Sequence, residues 1–344
     1  MKKLKFIGII TLAALFAFST MACDGGGGTG GGGGGDPVHV HEWNDTYTTI
    51  ANATETTDGV EAITCKHDSS HTKDSRFNGE YATGTAGLVY SNTTYYDPTT
   101  ETSLPAYSVN RGTATGAVFI PDYHRPDADS PYLPVTQISG GFNGTSSAPN
   151  TTLTSVRIPA GVTNISYNTF WHCTSLETVT FAPNSQLTNI ATVNGSGTGG
   201  VFWNCTSLVS ITIPASVTII GYNTSTAGGV FRDCTSLASV TFEEGSRLTT
   251  IGANTFRYCD NLTSISIPAS VAIIGSYAFD GYLLASVTFE GTIPSSGFNA
   301  NAFDMGDLRA KFYATDTANG TPGTYTTTRT GNGSDVSTAV WTKQ

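Results

Sequence analysis

Residues 205–221, CTSLVSITIPASVTIIG, place three apolar signals in a fixed order, and residues 259–275, CDNLTSISIPASVAIIG, repeat that order. The first signal is Leu-x-x-Val/Ile-x-Ile/Phe. It occurs here as Leu208/Ile211/Ile213 and Leu262/Ile265/Ile267, and elsewhere as Leu153/Val156/Ile158, Leu176/Val179/Phe181, Leu237/Val240/Phe242 and Leu284/Val287/Phe289, with Val118/Ile120 as a worn earlier copy. The second is Val/Leu-x-x-Ile, at Val135/Ile138, Val162/Ile165, Leu187/Ile190, Val217/Ile220, Leu248/Ile251 and Val271/Ile274. The third is a lone phenylalanine: Phe142, Phe170, Phe202, Phe231, Phe256, Phe279 and Phe303. In four copies a cysteine follows it three residues later, at Cys173, Cys205, Cys234 and Cys259. Successive leucines lie 23, 32, 29, 25 and 22 residues apart, a period that marks stacked supersecondary units.

One such unit cannot bury its own apolar face, so neighbours must stack and bury it for each other. Each Leu-x-x-Val-x-Ile segment is expected to form a short strand of a parallel sheet, with the other two signals lining the inside of the return path. Pro159, Pro214 and Pro268 follow strand ends, where a missing amide donor does least harm to a ladder. The predicted architecture is a repeat solenoid. Inward cysteines on neighbouring rungs seldom meet the torsion a disulfide requires, so free, buried thiols acting as small apolar side chains are expected.

The stretches 205–221 and 259–279, with AYSVNRGTATGAVFIPDYHRP at 106–126 leading into the array, resemble the BspA-like leucine-rich-repeat proteins over roughly residues 78–313. The resemblance implies a leucine-rich-repeat array, and a bacterial cell-surface or secreted protein associated with adhesion to host matrix, host cells or other bacteria.

The N-terminus agrees with export. Lys2, Lys3 and Lys5 precede an apolar stretch from Phe6 to Phe18, and small residues lead to Cys23, which is the order of an export signal over residues 1–22. Cys23 is the expected lipid attachment point, although Thr20 stands where lipoprotein signals usually carry Leu; plain secretion is the alternative. Residues 24–36 are nearly all glycine, a flexible coil reaching roughly 20 Å that suits a tether behind a lipid anchor. Two or more acyl chains give stable anchoring, and no later apolar run approaches the length of a membrane-spanning helix.

Only 12% of the 344 residues are charged, 39 are glycine, and 26 acidic against 16 basic side chains leave a net charge of −10. A nucleic-acid backbone would be repelled. Between tether and array, residues 37–77 read as a small β module. His41, Cys65, His67 and His71, with His39 nearby, supply enough nitrogen and sulfur for a four-ligand metal site. The Cys-x-His spacing and the missing second cysteine weigh against it, so no metal and no other cofactor is expected. Residues 314–344, Thr/Gly-rich around Tyr325 and Trp341, are expected to cap the open end of the solenoid.

No catalytic constellation emerges. Gly195-x-Gly197-x-x-Gly200 matches the dinucleotide string but lacks the strand before and helix after that its chemistry needs. Glu243 and Glu244 are neighbours on a strand-turn path and cannot flank one bond. His172 beside Cys173 aligns with Asn204, Asp233 and Tyr258, which reads as an unconstrained outer slot. Two surfaces remain as binding candidates. Outward strand positions form a hydroxyl array: Ser155, Arg157, Thr178, Thr180, Ser210, Thr212, Ser239, Thr241, Ser264 and Ser266, continued by Ser286 and Thr288. β-propensity alone also favours these residue types. The second surface comes from insertions at 191–200 and 221–230, which fall at one phase of consecutive repeats and carry Asn194, Ser196, Thr198, Tyr222, Asn223 and Thr224 but few aromatic or arginine anchors. The expected function is adhesion through an extracellular protein or cell-surface ligand, by a lipid-anchored protein of the bacterial envelope without catalytic activity. A structural spacer without a specific ligand is the alternative, and a glycan-binding or glycan-processing protein ranks below it.

Overall fold

The computed structural model describes residues 43–65, 72–77, 81–97, 99–166, 168–190, 200–222, 229–281, 284–303, 306–327 and 339–344. The chain divides into two compact units, one of Met1–Thr48 with Ala62–Ser75, the other of Thr49–Glu61 with Arg76–Gln344. Strands β1 (Trp43–Ala51), β2 (Val60–Cys65) and β3 (Thr72–Phe77) form a three-stranded sheet in that order. Within the smaller unit Asn44 Nδ2 donates to Thr64 Oγ1 at 2.9 Å.

The larger unit opens with β4 (Val89–Asp97), β5 (Thr102–Asn110), β6 (Gly116–Phe119), β7 (Tyr123–His124) and β8 (Leu133–Gly140). Four of these make a mixed sheet in the order β4-β5-β8-β7, with β4 antiparallel and β8 parallel to β5. The fifth, β6, carries Val118 and pairs in parallel with the first full repeat strand, Val118 opposite Val156. The worn copy is therefore a structural rung.

The repeats then alternate long and short strands: β9 (Leu153–Ile158), β10 (Asn164–Ile165), β11 (Thr178–Phe181), β12 (Asn189–Ile190), β13 (Ser210–Ile213), β14 (Ile219–Ile220), β15 (Ser239–Phe242), β16 (Thr250–Ile251), β17 (Ser264–Ile267), β18 (Ile273–Ile274) and β19 (Ser286–Phe289). The long strands stack in parallel as β15-β13-β11-β9-β6, while β17 and β19 pair in a further sheet. The short ones stack as β10-β12-β14-β16-β18. Strand alternation puts the last two residues of the first signal inward, while its Leu, which in most repeats precedes the strand, enters the core from the preceding turn; every one of these anchors is buried except the strand-end Phe181 and Phe242, which are half-buried. Pro159, Pro214 and Pro268 stand one residue past the ends of β9, β13 and β17, and their carbonyls accept from Val162, Val217 and Val271 to close the turn.

A third wall joins the two sheets. In it the amides of Phe170, Phe202, Phe231, Phe256 and Phe279 each donate to a carbonyl of the next rung, at 2.8–2.9 Å. The rings behind them form one column. Phe170, Phe202, Phe231 and Phe256 stack with centroids 5.1–5.3 Å apart and planes within 4°; Phe142, Phe279 and Phe303 extend it at both ends. Truncating one such buried ring costs about 3–5 kcal/mol.

The far end is closed by α1 (Leu308–Phe312), β20 (Gly323–Thr327) and β21 (Trp341–Lys343). Both strands run antiparallel, β20 on β19 and β21 on β20. Tyr325 and Trp341 are fully buried against the last rungs, as a terminal cap requires. The helix was not visible in the sequence pattern; it buries only Leu308 and Phe312.

The last glycine of the dinucleotide-like string has a packing role. A Cβ on Gly200 would overlap the Gly229 carbonyl, and one on Gly229 would overlap the Asn254 carbonyl. Neighbouring rungs touch backbone to backbone there. Gly229→Ala should therefore lower unfolding free energy by about 3 kcal/mol. Gly245→Ala, whose Cβ meets nothing but whose φ is +74°, should cost about 1 kcal/mol. Urea unfolding of the two variants checks the difference, and equal losses would contradict the tight packing.

Candidate functional site

The outward positions of the long strands are brought into two rows. Thr178 pairs with Ser155 and Ser210, Ser210 with Ser239, and Ser264 with Ser286. Thr180 pairs with Arg157, Thr212 with Thr241, and Ser266 with Thr288. Rungs lie about 4.8 Å apart and the rows about 6.7 Å apart. Thr178, Thr180, Ser210, Thr212, Ser239, Thr241, Ser264 and Ser266 are exposed, whereas Ser155 and Arg157 are half-buried. Arg157 is committed to the fold: its guanidinium bonds the Ile120 carbonyl and Asp122 and lies over the Phe119 ring.

The rows continue where the repeat has ended. Ser286 faces Thr326 and Thr288 faces Thr324 across the antiparallel pair, and Thr326 faces Thr342 on β21. Hydroxyls of adjacent strands meet at 2.9 Å between Thr212 and Thr241 and again between Thr288 and Thr324. Repeat duplication cannot supply Thr324, Thr326 and Thr342, because β20 and β21 carry neither the repeat pattern nor its direction. The result is an open, hydroxyl-rich platform that includes Arg157 in one row and has the Glu290 carboxylate accepting from Ser266 Oγ at 2.6 Å. Sequence reasoning missed its cap end, although alternating Thr324 and Thr326 beside an inward Tyr325 was the available signal.

The turn wall carries a different surface. Trp171, Trp203, Arg232 and Arg257 each follow their rung's phenylalanine, and each backbone amide closes a turn to the residue three before it. The Trp171 and Trp203 centroids lie 6.1 Å apart. The Arg232 guanidinium sits over Trp203 at 4.9 Å and Tyr258 at 5.8 Å, and that of Arg257 over Tyr258 at 4.7 Å and Tyr277 at 4.9 Å. Trp203 Nε1 donates to Asp233 Oδ2 at 2.7 Å, and Arg257 Nε to Asp280 Oδ2 at 2.8 Å. All these side chains are half-buried except Asp280, which is buried.

The slot of His172, Asn204, Asp233 and Tyr258 is not unconstrained. All four have φ between 54° and 61°, the left-handed region where Asn and Asp are enriched. Their amides bond the carbonyls of Trp203, Arg232, Arg257 and Asp280 on the next rung. His172 is half-buried, Asn204 Nδ2 lies 2.6 Å from its Nδ1, and burial lowers its pKa against the opposing pull of Asp233.

Gly200 and Gly229, in the last two positions of residues 191–200 and 221–230, lie in this wall. Asn194, Ser196, Thr198, Asn223 and Thr224 lie outside the described residues, as do Cys23, His39, His41, His67 and His71; Tyr222 is half-buried, and Cys65 closes β2. The sparse aromatic and arginine content of the insertions is offset by Trp203 and Arg232, three residues beyond those glycines.

Residues 146–224 and 196–310 match the profile of the BspA type leucine-rich repeat region, in six copies. The array belongs to the BspA-type leucine-rich-repeat family. Leucine-rich-repeat arrays of this kind offer extended surfaces for protein interaction or adhesion. Among solved structures, the array is similar to the pneumococcal vaccine antigen PcpA, with 21% identity over 64% of this chain and 53% of the other and a TM-score of 0.44. A leucine-rich-repeat protein of T. pallidum shows 25% identity over 53% and 72% with a TM-score of 0.38. A leucine-rich cell-surface protein of Faecalibacterium prausnitzii shows 24% over 60% and 55% with a TM-score of 0.38. The chain thus spans about half the length of the pneumococcal antigen. No curated protein matches it.

In the BspA-type array the four cysteines serve the backbone. The Sγ of Cys173, Cys205, Cys234 and Cys259 donates to the phenylalanine carbonyl one rung back, at 2.9–3.1 Å. Burial pushes the Cys205, Cys234 and Cys259 thiols well above the ordinary range, so they are poor nucleophiles; Cys173, beside His172, is buried with its Sγ committed to the Phe142 carbonyl. Glu243 and Glu244 are exposed, with Glu243 Oε2 accepting from the Ala215 amide. On the mixed sheet a cavity of about 630 Å³ is lined by Tyr90, Tyr107, His124, Pro126 and Pro131 among others, with no carboxylate or thiol. It went unseen in the sequence, and the density of Tyr and Pro over residues 81–133 was the signal.

The raised thiol pKa values set a pH dependence. Unfolded thiols lose their protons near pH ~8.5 while the folded ones keep them, so the unfolded state binds fewer protons and stability falls as pH rises. Urea midpoints should be flat between pH ~7 and pH ~8 and drop above that. Alkylation mapped by mass spectrometry should leave Cys205, Cys234 and Cys259 unlabelled in the native protein and label them in denaturant. Native labelling at pH ~8 would contradict the assignment.

Proposed function

We propose that this is an exported lipoprotein of the bacterial cell surface, anchored through Cys23, whose array binds an extracellular protein ligand on host matrix, host cells or other bacteria. The observation that carries the reading is the hydroxyl platform. It is exposed over the repeat strands, carries Ser or Thr at nearly every position, and continues, half-buried at Thr324 and Thr326, into cap strands of a different sequence and direction. A surface preserved across that boundary points to selection on the face itself. The order of the N-terminal signal, the cysteine after it and the glycine tether support display away from a membrane, and among the described residues no helix is long and apolar enough to cross one. The Gly/Ser/Thr/Asn composition of residues 191–200 and 221–230 suits adaptable polar contact.

Binding of the full chain to immobilised matrix proteins, epithelial cells and partner bacteria tests this. One ligand should bind saturably. Thr212→Lys with Thr241→Lys should weaken it about tenfold or more, since two ammonium groups must then be desolvated in the contact. Shortening the two insertions should weaken it further. Uniform, non-saturable binding would favour a structural spacer. Metabolic labelling with palmitate, lost in Cys23→Ala, tests the anchor.

A further inference from the structure

Three arginines of the array are held against aromatic rings, and two of them are committed to hydrogen bonds within the fold. Arg257 spends all three nitrogens, Nε on Asp280 Oδ2 at 2.8 Å, Nη1 on Asn254 Oδ1 at 3.3 Å and Nη2 on the Tyr258 hydroxyl at 2.9 Å. Arg157 spends its Nη groups on Ile120 and Asp122. Arg232 occupies the place in its turn that Arg257 occupies one rung later, and Trp203 and Tyr258 immobilise its guanidinium. Yet it donates no hydrogen bond among the described residues. Its Nε is buried without an acceptor and stands 3.5 Å from Asp233 Oδ2. One rung beyond Trp203, Trp171 Nε1 is also buried without an acceptor. A buried donor left unpaired costs about 1–3 kcal/mol. A column needed only for structure would spend this arginine as it spends the next.

We propose that the turn wall holds a binding site for a neutral oligosaccharide, centred on Arg232 and Asp233 between Trp203 and Tyr258. The surroundings discriminate by charge. An anionic ligand on Arg232 would meet the Asp233 carboxylate beside it, and a cation on Asp233 would meet the guanidinium. A hydroxyl both donates and accepts, so vicinal hydroxyls of a sugar ring can take hydrogens from Arg232 and give one to Asp233. The amide of Asn204 and the uncharged ring of His172, in contact at 2.6 Å, offer the same mixture one and two rungs back. The half-exposed rims of Trp203 and Tyr258, whose faces are taken by guanidinium groups, border these hydroxyl contacts with apolar surface. Because Trp171, Trp203, Arg232 and Arg257 recur rung by rung at about 4.8 Å, the ligand lies along the solenoid axis as an extended chain of several sugars. The Arg232 and Asp233 side chains are 28% and 31% exposed; Nε itself is buried, so a ligand would meet the Nη groups and the Asp233 carboxylate. The site is separate from the hydroxyl platform, so it does not rest on the protein-adhesion reading.

Intrinsic tryptophan fluorescence and calorimetry of the full chain, titrated with cellohexaose, mannohexaose, lacto-N-tetraose and the acidic sialyllactose, test it. At least one neutral oligosaccharide should bind saturably and perturb the tryptophan emission. Arg232→Lys should weaken it about tenfold, because an ammonium lacks the planar fork, while shifting the unfolding temperature by no more than about 2 °C. Arg257→Lys should instead lower the unfolding temperature, since its bonds are within the fold. Thr212→Lys should leave saccharide binding unchanged, which separates this site from the platform. The proposal is overturned if no neutral oligosaccharide binds at millimolar concentration, if Arg232→Lys binds as well as the parent, or if sialyllactose binds more tightly than every neutral probe.

Discussion

Each rung of this protein exists only because another lies against it. The stacked phenylalanines, Phe170 to Phe256, lie nearly coplanar at 5.1–5.3 Å, and that distance is close to the spacing of hydrogen-bonded strands. The same translation therefore satisfies ring packing, the parallel ladders of both sheets and the amide ladder of the turn wall. The cysteines join the scheme because a thiol fits beside the rings and reaches the carbonyl one rung back. Any change that lengthens the translation at one wall must lengthen it at all three. This is why the backbone approach at Gly200 and Gly229 leaves no room for a Cβ.

Both candidate surfaces follow from that translation. A strand position that points outward is repeated at the rung spacing, so a preference for Ser or Thr becomes two rows of hydroxyls. A turn position that points outward is repeated likewise, so Trp171, Trp203, Arg232 and Arg257 line up, and with Tyr258 and Tyr277 interleaved the rings and guanidinium groups alternate from Trp203 onward. The platform has breadth and little charge, whereas the turn wall has directional donors and acceptors.

The repeat anchors were legible in the sequence because burial imposes identity on them: Leu208, Ile211, Ile220 and Phe231 must be large and apolar wherever they recur. The turn wall was not legible by the same route. Its outer positions are free to differ, as Trp203 and Arg232 do, so a search for sameness passes over them. The slot of His172, Asn204, Asp233 and Tyr258 was misjudged as unconstrained for that reason. Two of its four members are Asn and Asp, the residues that tolerate a left-handed backbone, and this composition was the usable clue. The cap was foreseen from Tyr325 and Trp341, but its antiparallel register was not, since pairing to β19 is decided by tertiary contact. The mixed sheet before the array mixes parallel and antiparallel partners, which no single periodicity encodes.

The central claim is that stability resides in the coupling between adjacent rungs. A double-mutant cycle measures it directly, with Phe202→Leu and Phe231→Leu, whose rings stack at 5.3 Å, set against Phe170→Leu and Phe256→Leu two rungs further apart. The adjacent pair should show a coupling energy of about 1 kcal/mol, and the distant pair one within ~0.3 kcal/mol of zero. Additive losses for Phe202 and Phe231 would mean that each ring stabilises its own rung alone, and would contradict the account.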